Sequence, residues 1–168
     1  KMLKTCLRIK CSNLPCMDLL SKSDPFVVVS EKTEGAANKY RQLGHTEPIK
    51  NDNHPTFVKT VPVSYYQGVD KTLVFEIFDK DNNSNYLSQH DYFGKATMKL
   101  SQILNGGYSS PISDCRSKKH LTNMKNVTSL ISVITEPFKH SDSSIEMQLI
   151  GRKLKKKDLF SSDPYFEF

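Results

Sequence analysis

Five aspartates have the types and spacing to do chemistry. Asp18 and Asp24 stand six residues apart in the segment 14–26, and Asp79, Asp81 and Asp91 follow in the segment 77–94. Each group lies between two alternating apolar runs, which places it in loops at strand ends. Carboxylates gathered at one rim repel each other, and a cation between them removes the repulsion. A donor set of carboxylate oxygens without His or Cys suits a hard cation that takes 6–8 oxygens, which is Ca²⁺ rather than zinc or copper.

The elements that must hold these loops read as strands. Leu3, Thr5, Leu7, Ile9 and Cys11 alternate with Lys4, Cys6, Arg8 and Lys10. Short β-forming runs recur at 26–29, 72–78, 93–100 and 129–134, and Pro62 marks an edge or bulge near Val58, Thr60 and Val63. Turn clusters separate them: Glu34-Gly35-Ala36-Ala37-Asn38, Lys50-Asn51-Asp52-Asn53-His54-Pro55 and Asn105-Gly106-Gly107-Tyr108. Short strands at this spacing predict an antiparallel β-sandwich. One short helix is expected at 100–104, capped by Ser101. Phe57, Phe75, Phe78 and Phe93 fall on core positions of this pattern.

Charge and composition narrow the function. The 168 residues carry 24 Lys and Arg against 18 Asp and Glu, a net +6. Without the five loop aspartates the balance is 24 against 13, or +11. A basic body with a concentrated acidic rim is drawn to an anionic surface once the rim is neutralised. A basic chain also suits nucleic acid, but there is no helix-turn-helix spacing, zinc finger or RNA-binding signature, so no nucleic-acid partner is expected. No apolar run reaches 18 residues. Cys6 and Cys11 point to opposite faces of one strand, and all four cysteines are read as thiols of a cytoplasmic protein. The two sequons at Asn82 and Asn126 are then chance matches.

The chain repeats itself once. Segment 14–26 recurs, one residue shorter, at 154–165, each copy after a strand-like run (7–11 and 145–150). Residues 1–138 therefore read as one domain, 139–143 as a linker, and 144–168 as the truncated start of a second, similar domain. Asp158 and Asp163 of this stub lack an opposing third loop and are expected to hold no cation. Its strand-like run gives a route to self-association by strand pairing.

Asp18 and Asp24-Pro25-Phe26, then His54-Pro55-Thr56-Phe57, then Asp79-x-Asp81 and His90-Asp91-Tyr92-Phe93-Gly94, resemble the C2 domain. The long third loop, Thr46-Glu47, the run 73–79 and the tandem Ser162-Asp163-Pro164-Tyr165 resemble the copines in particular. The resemblance implies an eight-stranded, permuted (type II) sandwich and Ca²⁺-dependent binding of anionic phospholipid, with phosphatidylserine foremost. Its residue roles carry over as Ca²⁺ ligands at Asp18, Asp24, Asp79, Asp81 and Asp91, with Asp24 and Asp79 as bridges. Leu19, Leu20, Tyr86 and Leu87 would then enter the lipid interface, and Lys39, Arg41 and Lys59 would hold a phosphoinositide headgroup. Peripheral recruitment to membranes from the cytoplasm follows. Two other classes compete. A Ca²⁺-independent protein-interaction module would use strand faces, with protein partners in place of lipid. A Mg²⁺-dependent phosphoesterase-like enzyme would need a positioned base, yet the five histidines form no ligand-like spacing and no glycine-rich phosphate loop occurs.

Overall fold

A computed structural model describes residues 1–16, 23–33, 39–82, 84, 86–114, 117 and 119–138. The chain divides into two units, Lys1–Phe138 and Lys139–Phe168. The linker, the stub run, Asp158 and Asp163 lie outside the described residues, as do Asp18, Leu19 and Leu20.

Period-two alternation becomes strand in the first segment. In β1 (Met2–Ser12), Thr5, Leu7, Ile9 and Cys11 are buried and the intervening side chains are not. The other strands are β2 (Pro25–Lys32), β3 (Tyr40–His45), β4 (Val61–Tyr66), β5 (Thr72–Asp79), β6 (Asp91–Lys99), β7 (Tyr108–Pro111), β8 (Ser113–Asp114) and β9 (Leu130–Pro137). Eight of them have four residues or more, and β8 is a two-residue addition. They form two sheets, ordered β4-β1-β9-β7 and β3-β2-β5-β6-β8, with every pairing between these strands antiparallel. First and last strands are neighbours, with Thr5 opposite Pro137. Pro62 sits on β4, an edge strand, where its missing N–H is tolerated.

The inner faces close over one core. Leu7, Ile9, Val27, Val29, Leu73, Phe75, Ile77, Phe93, Ile131 and Val133 share it, with Phe57 from the segment before β4. Phe78 belongs elsewhere. It forms a second cluster with Phe26 and Val28, and Leu87 and Tyr92 pack against it. Phe26 and Phe78 stack with ring centroids 5.5 Å apart, and Tyr92 lies 5.0 Å from Phe78. Both faces of β2 are therefore covered, which explains why its sequence is an apolar run rather than an alternation.

A bulge re-aims β6 at the acidic end. Ile77 faces Gly94 and Phe78 faces Tyr92, so Phe93 is the extra residue and its ring enters the core. Gly94 pairs with Asp114 of β8, and a Cβ there would lie 2.3 Å from the Ser113 carbonyl oxygen.

The helix α1 (Leu100–Leu104) forms where expected, burying Leu100 and Ile103. Its cap differs from the expected Ser101. Lys99 takes the cap position, and Ser101 lies inside the first turn. The Gln102 side chain accepts the Lys99 N–H at 3.0 Å, and Asp70 accepts both the Ser101 N–H (3.0 Å) and hydroxyl (2.9 Å). The start of α1 is thus satisfied from outside, by the turn between β4 and β5. Partial desolvation opposes it, but the Ser101 donors and Lys99 hold the Asp70 carboxyl below its usual range.

Candidate metal centre

Antiparallel pairing decides which loops share an end of the sandwich. β2 begins, β5 ends and β6 begins at the same edge, with Pro25 opposite Asp79 and Asp79 opposite Asp91. Asp79 is central and 4% exposed. Its Oδ1 accepts the Asp24 N–H at 2.6 Å, and the Lys80 N–H returns to the Asp24 carbonyl at 3.1 Å. The Asn51 N–H donates to Asp24 Oδ1 at 2.9 Å, and the Asp91 N–H donates to Asp81 Oδ2 at 2.8 Å. Four of the five expected ligands therefore share one rim, and the carboxylates of Asp24, Asp79 and Asp81 are oriented by neighbouring backbone N–H groups.

The donors fit a hard cation in kind. They are carboxylates, and a carboxylate offers about four acceptor positions, so one N–H bond does not exhaust Asp24 or Asp81. In their present placement, no three His, Cys, Asp or Glu side chains among the described residues converge closely enough to hold a metal ion.

His90 organises the third loop, although its spacing to other histidines carries no signal. It accepts the Asp81 N–H through Nδ1 at 3.3 Å, and its Nε2 lies 3.0 Å from the Ser84 carbonyl. With Nδ1 accepting, Nε2 is the nitrogen that donates toward the Ser84 carbonyl. Its ring meets Phe26 edge-on at 5.5 Å. The sequence clue is its position beside Asp91 in a long polar loop.

The two described interface candidates separate. Tyr86 is 72% exposed, as a membrane-facing residue would be. Leu87 is not a free tip. The short 3-10 turn Leu87–Gln89 lays it against Phe26, Val28 and Phe78, because the outer face of β2 and β5 is apolar and needs a cover.

Lys39, Arg41 and Lys59 are all exposed, but they do not lie on adjacent strands of one sheet. Lys39 directly precedes β3 and Arg41 lies on it, an edge strand of one sheet, whereas Lys59 precedes β4, an edge strand of the other. Gly44 lets these edges approach, since a Cβ there would lie 3.3 Å from Val61 Cγ1. Arg41 is also engaged, with Nε 2.9 Å and Nη2 2.7 Å from Glu31 Oε1, while Lys71 holds Glu31 Oε2 at 2.8 Å. Desolvation pushes the Glu31 carboxyl up, but Lys71 and Arg41 hold it below its usual range. A depressed carboxyl stabilises the fold above the unfolded value, about 4.3, and that contribution fades as pH falls through the lower folded value.

Cys6, Cys11 and Cys16 are free thiols, and burial pushes the Cys11 thiol up.

Known proteins share this fold. The C2 domain family model matches residues 4–113. Copine-D of Dictyostelium discoideum is 36% identical over 164 residues, covering 96% of this chain and 30% of that protein. Copine-E of the same organism is 35% identical over 173 residues, covering 99% of this chain and 28% of that protein. The chain thus spans less than a third of the length of these curated relatives. Among solved structures, a C2 domain of plant extended synaptotagmin 1 is similar in fold, with a TM-score of 0.54 and 15% identity over 82% of this chain and 96% of that one. BON1-C2B has a TM-score of 0.50 and 28% identity over 79% of this chain and 88% of that one. The chain belongs to the C2 domain family and, by its relatives, to the copines.

Proposed function

We propose that this domain binds anionic phospholipid membranes in a Ca²⁺-dependent manner. The observation that carries the proposal is the register at the rim, where Asp79 stands between Pro25, next to Asp24, and Asp91. Membership of the C2 family supports it. Asp24, Asp79, Asp81 and Asp91, with Asp18 from the first loop, are the proposed ligands. Bound Ca²⁺ would supply positive charge and open coordination positions for lipid phosphate.

The chain's own residues do the rest. At rest the carboxylates repel a phosphate-bearing surface. The remainder of the chain carries the excess of 24 basic over 13 acidic residues, which attracts that surface once the rim is neutral. Tyr86 is placed to enter the headgroup region, where amphipathic aromatic rings are favoured. Lys39 and Lys59 are the basic positions proposed to add phosphoinositide contact, with Arg41 sharing its charge with Glu31. Cytoplasmic residence with peripheral recruitment to membranes is part of the same proposal, and no catalytic step is assigned.

A ligand that binds only the folded state raises its stability, by about 2.7 kcal/mol at a hundred times Kd. Melting in Ca²⁺ at that excess should lie roughly 8 °C above melting in chelator. Identical melting curves across millimolar Ca²⁺ would remove the cation from the proposal.

A further inference from the structure

The second loop, between β3 and β4, carries no proposed ligand and clips both described ends of the first loop, between β1 and β2. At the entrance, the Leu14 N–H donates to the Asn53 carbonyl at 3.0 Å, and Asn53 Nδ2 donates back to the Leu14 carbonyl at 3.0 Å and to Cys16 Sγ at 3.1 Å. At the exit, the Asp52 N–H donates to the Ser23 carbonyl at 3.1 Å, the Asn51 N–H to Asp24 Oδ1 at 2.9 Å, and the Ile49 N–H to the Pro25 carbonyl at 3.1 Å. Asn51 makes the sharp turn with φ +53°. Leu14 is wholly buried, so the entrance clip is anchored in the core.

Asn53 shows what its position requires. Its amide spends both donors on the first loop and leaves Oδ1 buried without a hydrogen-bond partner. An unpaired buried acceptor is costly and rare in folded proteins. The side chain is therefore oriented by its donors, toward the loop, and not by a balance of polar contacts.

We infer that Asn53 is a positioning residue for cation binding. It fixes Leu14 and Cys16 at the entrance of the first loop while the backbone of Asn51 and Asp52 fixes Ser23 and Asp24 at its exit, so that Asp24 meets the third-loop aspartates already in place. This rests on the proposed Ca²⁺ role. Partners that orient metal ligands typically change metal affinity about 10- to 100-fold when removed. Asn53→Ala loses both donors, and Asn53→Ser keeps one donor on a side chain one bond shorter than the amide.

Calorimetric titration of Ca²⁺ into the full chain tests this, with melting of each variant in chelator alongside. Asn53→Ala should weaken Ca²⁺ binding about tenfold, with Asn53→Ser falling between it and the wild type. Should Asn53→Ala not fold, Asn53→Ser alone decides, and wild-type affinity in that variant overturns the inference. A lower melting temperature with unchanged Ca²⁺ affinity also overturns it, because Asn53 would then serve packing only. Absence of Ca²⁺ binding by the wild type is a separate result. It would overturn the proposed function and this inference with it.

Discussion

Replacing Asp79 with Asn should abolish most Ca²⁺ binding while leaving the fold in place. Asp79 is the central carboxylate of the rim, opposite both Pro25 and Asp91, and it is nearly fully buried. Asn has the same shape and retains an oxygen that can accept the Asp24 N–H, now made at 2.6 Å. What it loses is the charge. One unit charge at about 4 Å from another is worth about 4 kcal/mol at an effective dielectric of about 20, and a divalent ion doubles it before desolvation is counted. Desolvation of the ion and the charge of the remaining carboxylates offset most of this, so a loss of affinity on the order of a hundredfold, about 2.7 kcal/mol, is expected. Removing one of several neighbouring negative charges also relieves repulsion in the cation-free protein, so melting in chelator should be unchanged or slightly higher. Calorimetric titration checks the first part and melting the second. Unchanged Ca²⁺ affinity would take Asp79 out of the site.

Gly94→Ala should carry the largest stability cost among substitutions that add a single methyl group. The added Cβ would meet the Ser113 carbonyl oxygen at 2.3 Å and Ile112 Cγ2 at 3.2 Å. The first is backbone, and Ile112 is wholly buried, so neither gives way cheaply. Relief requires β8 to leave β6, which breaks the pairing of Gly94 with Asp114. A loss of about 3 kcal/mol is expected, lowering the melting midpoint by roughly 10 °C. At Gly68 a Cβ meets nothing within 4 Å, so a substitution there carries only the cost of its φ of +82°. Urea unfolding measures the difference, and a loss under about 1 kcal/mol at Gly94 would show that β8 is not held closely against the bulge.

The parts of this fold that are local in sequence were legible there. Alternation in β1 predicts its buried face residue by residue, because a strand has period two and one covered side. The aspartates could be assigned to one rim because their flanks are strand-like, and the register then places Asp79 beside Asp91. What escaped is set by contacts between distant segments. Ser101 has the chemistry of a cap, yet Asp70, thirty-one residues earlier, satisfies that helix turn from outside. Leu87 looks like an exposed tip until the outer face of β2 and β5 is seen to be apolar and in need of cover. Asn53 reads as one more polar turn residue, and its two bonds to the first loop cross nearly forty positions. His90 likewise shows its role only when the loop folds back upon Asp81 and Ser84.

Ca²⁺ is proposed to switch membrane binding on, and vesicle sedimentation reads that switch. Vesicles containing phosphatidylserine should pellet the protein in Ca²⁺ and release it in excess chelator, with vesicles of phosphatidylcholine alone retaining far less. Added salt should weaken the retention, since long-range attraction of exposed charges is screened within about 10 Å at roughly 0.1 M. Equal pelleting in Ca²⁺ and in chelator would contradict the account, and so would no pelleting in either.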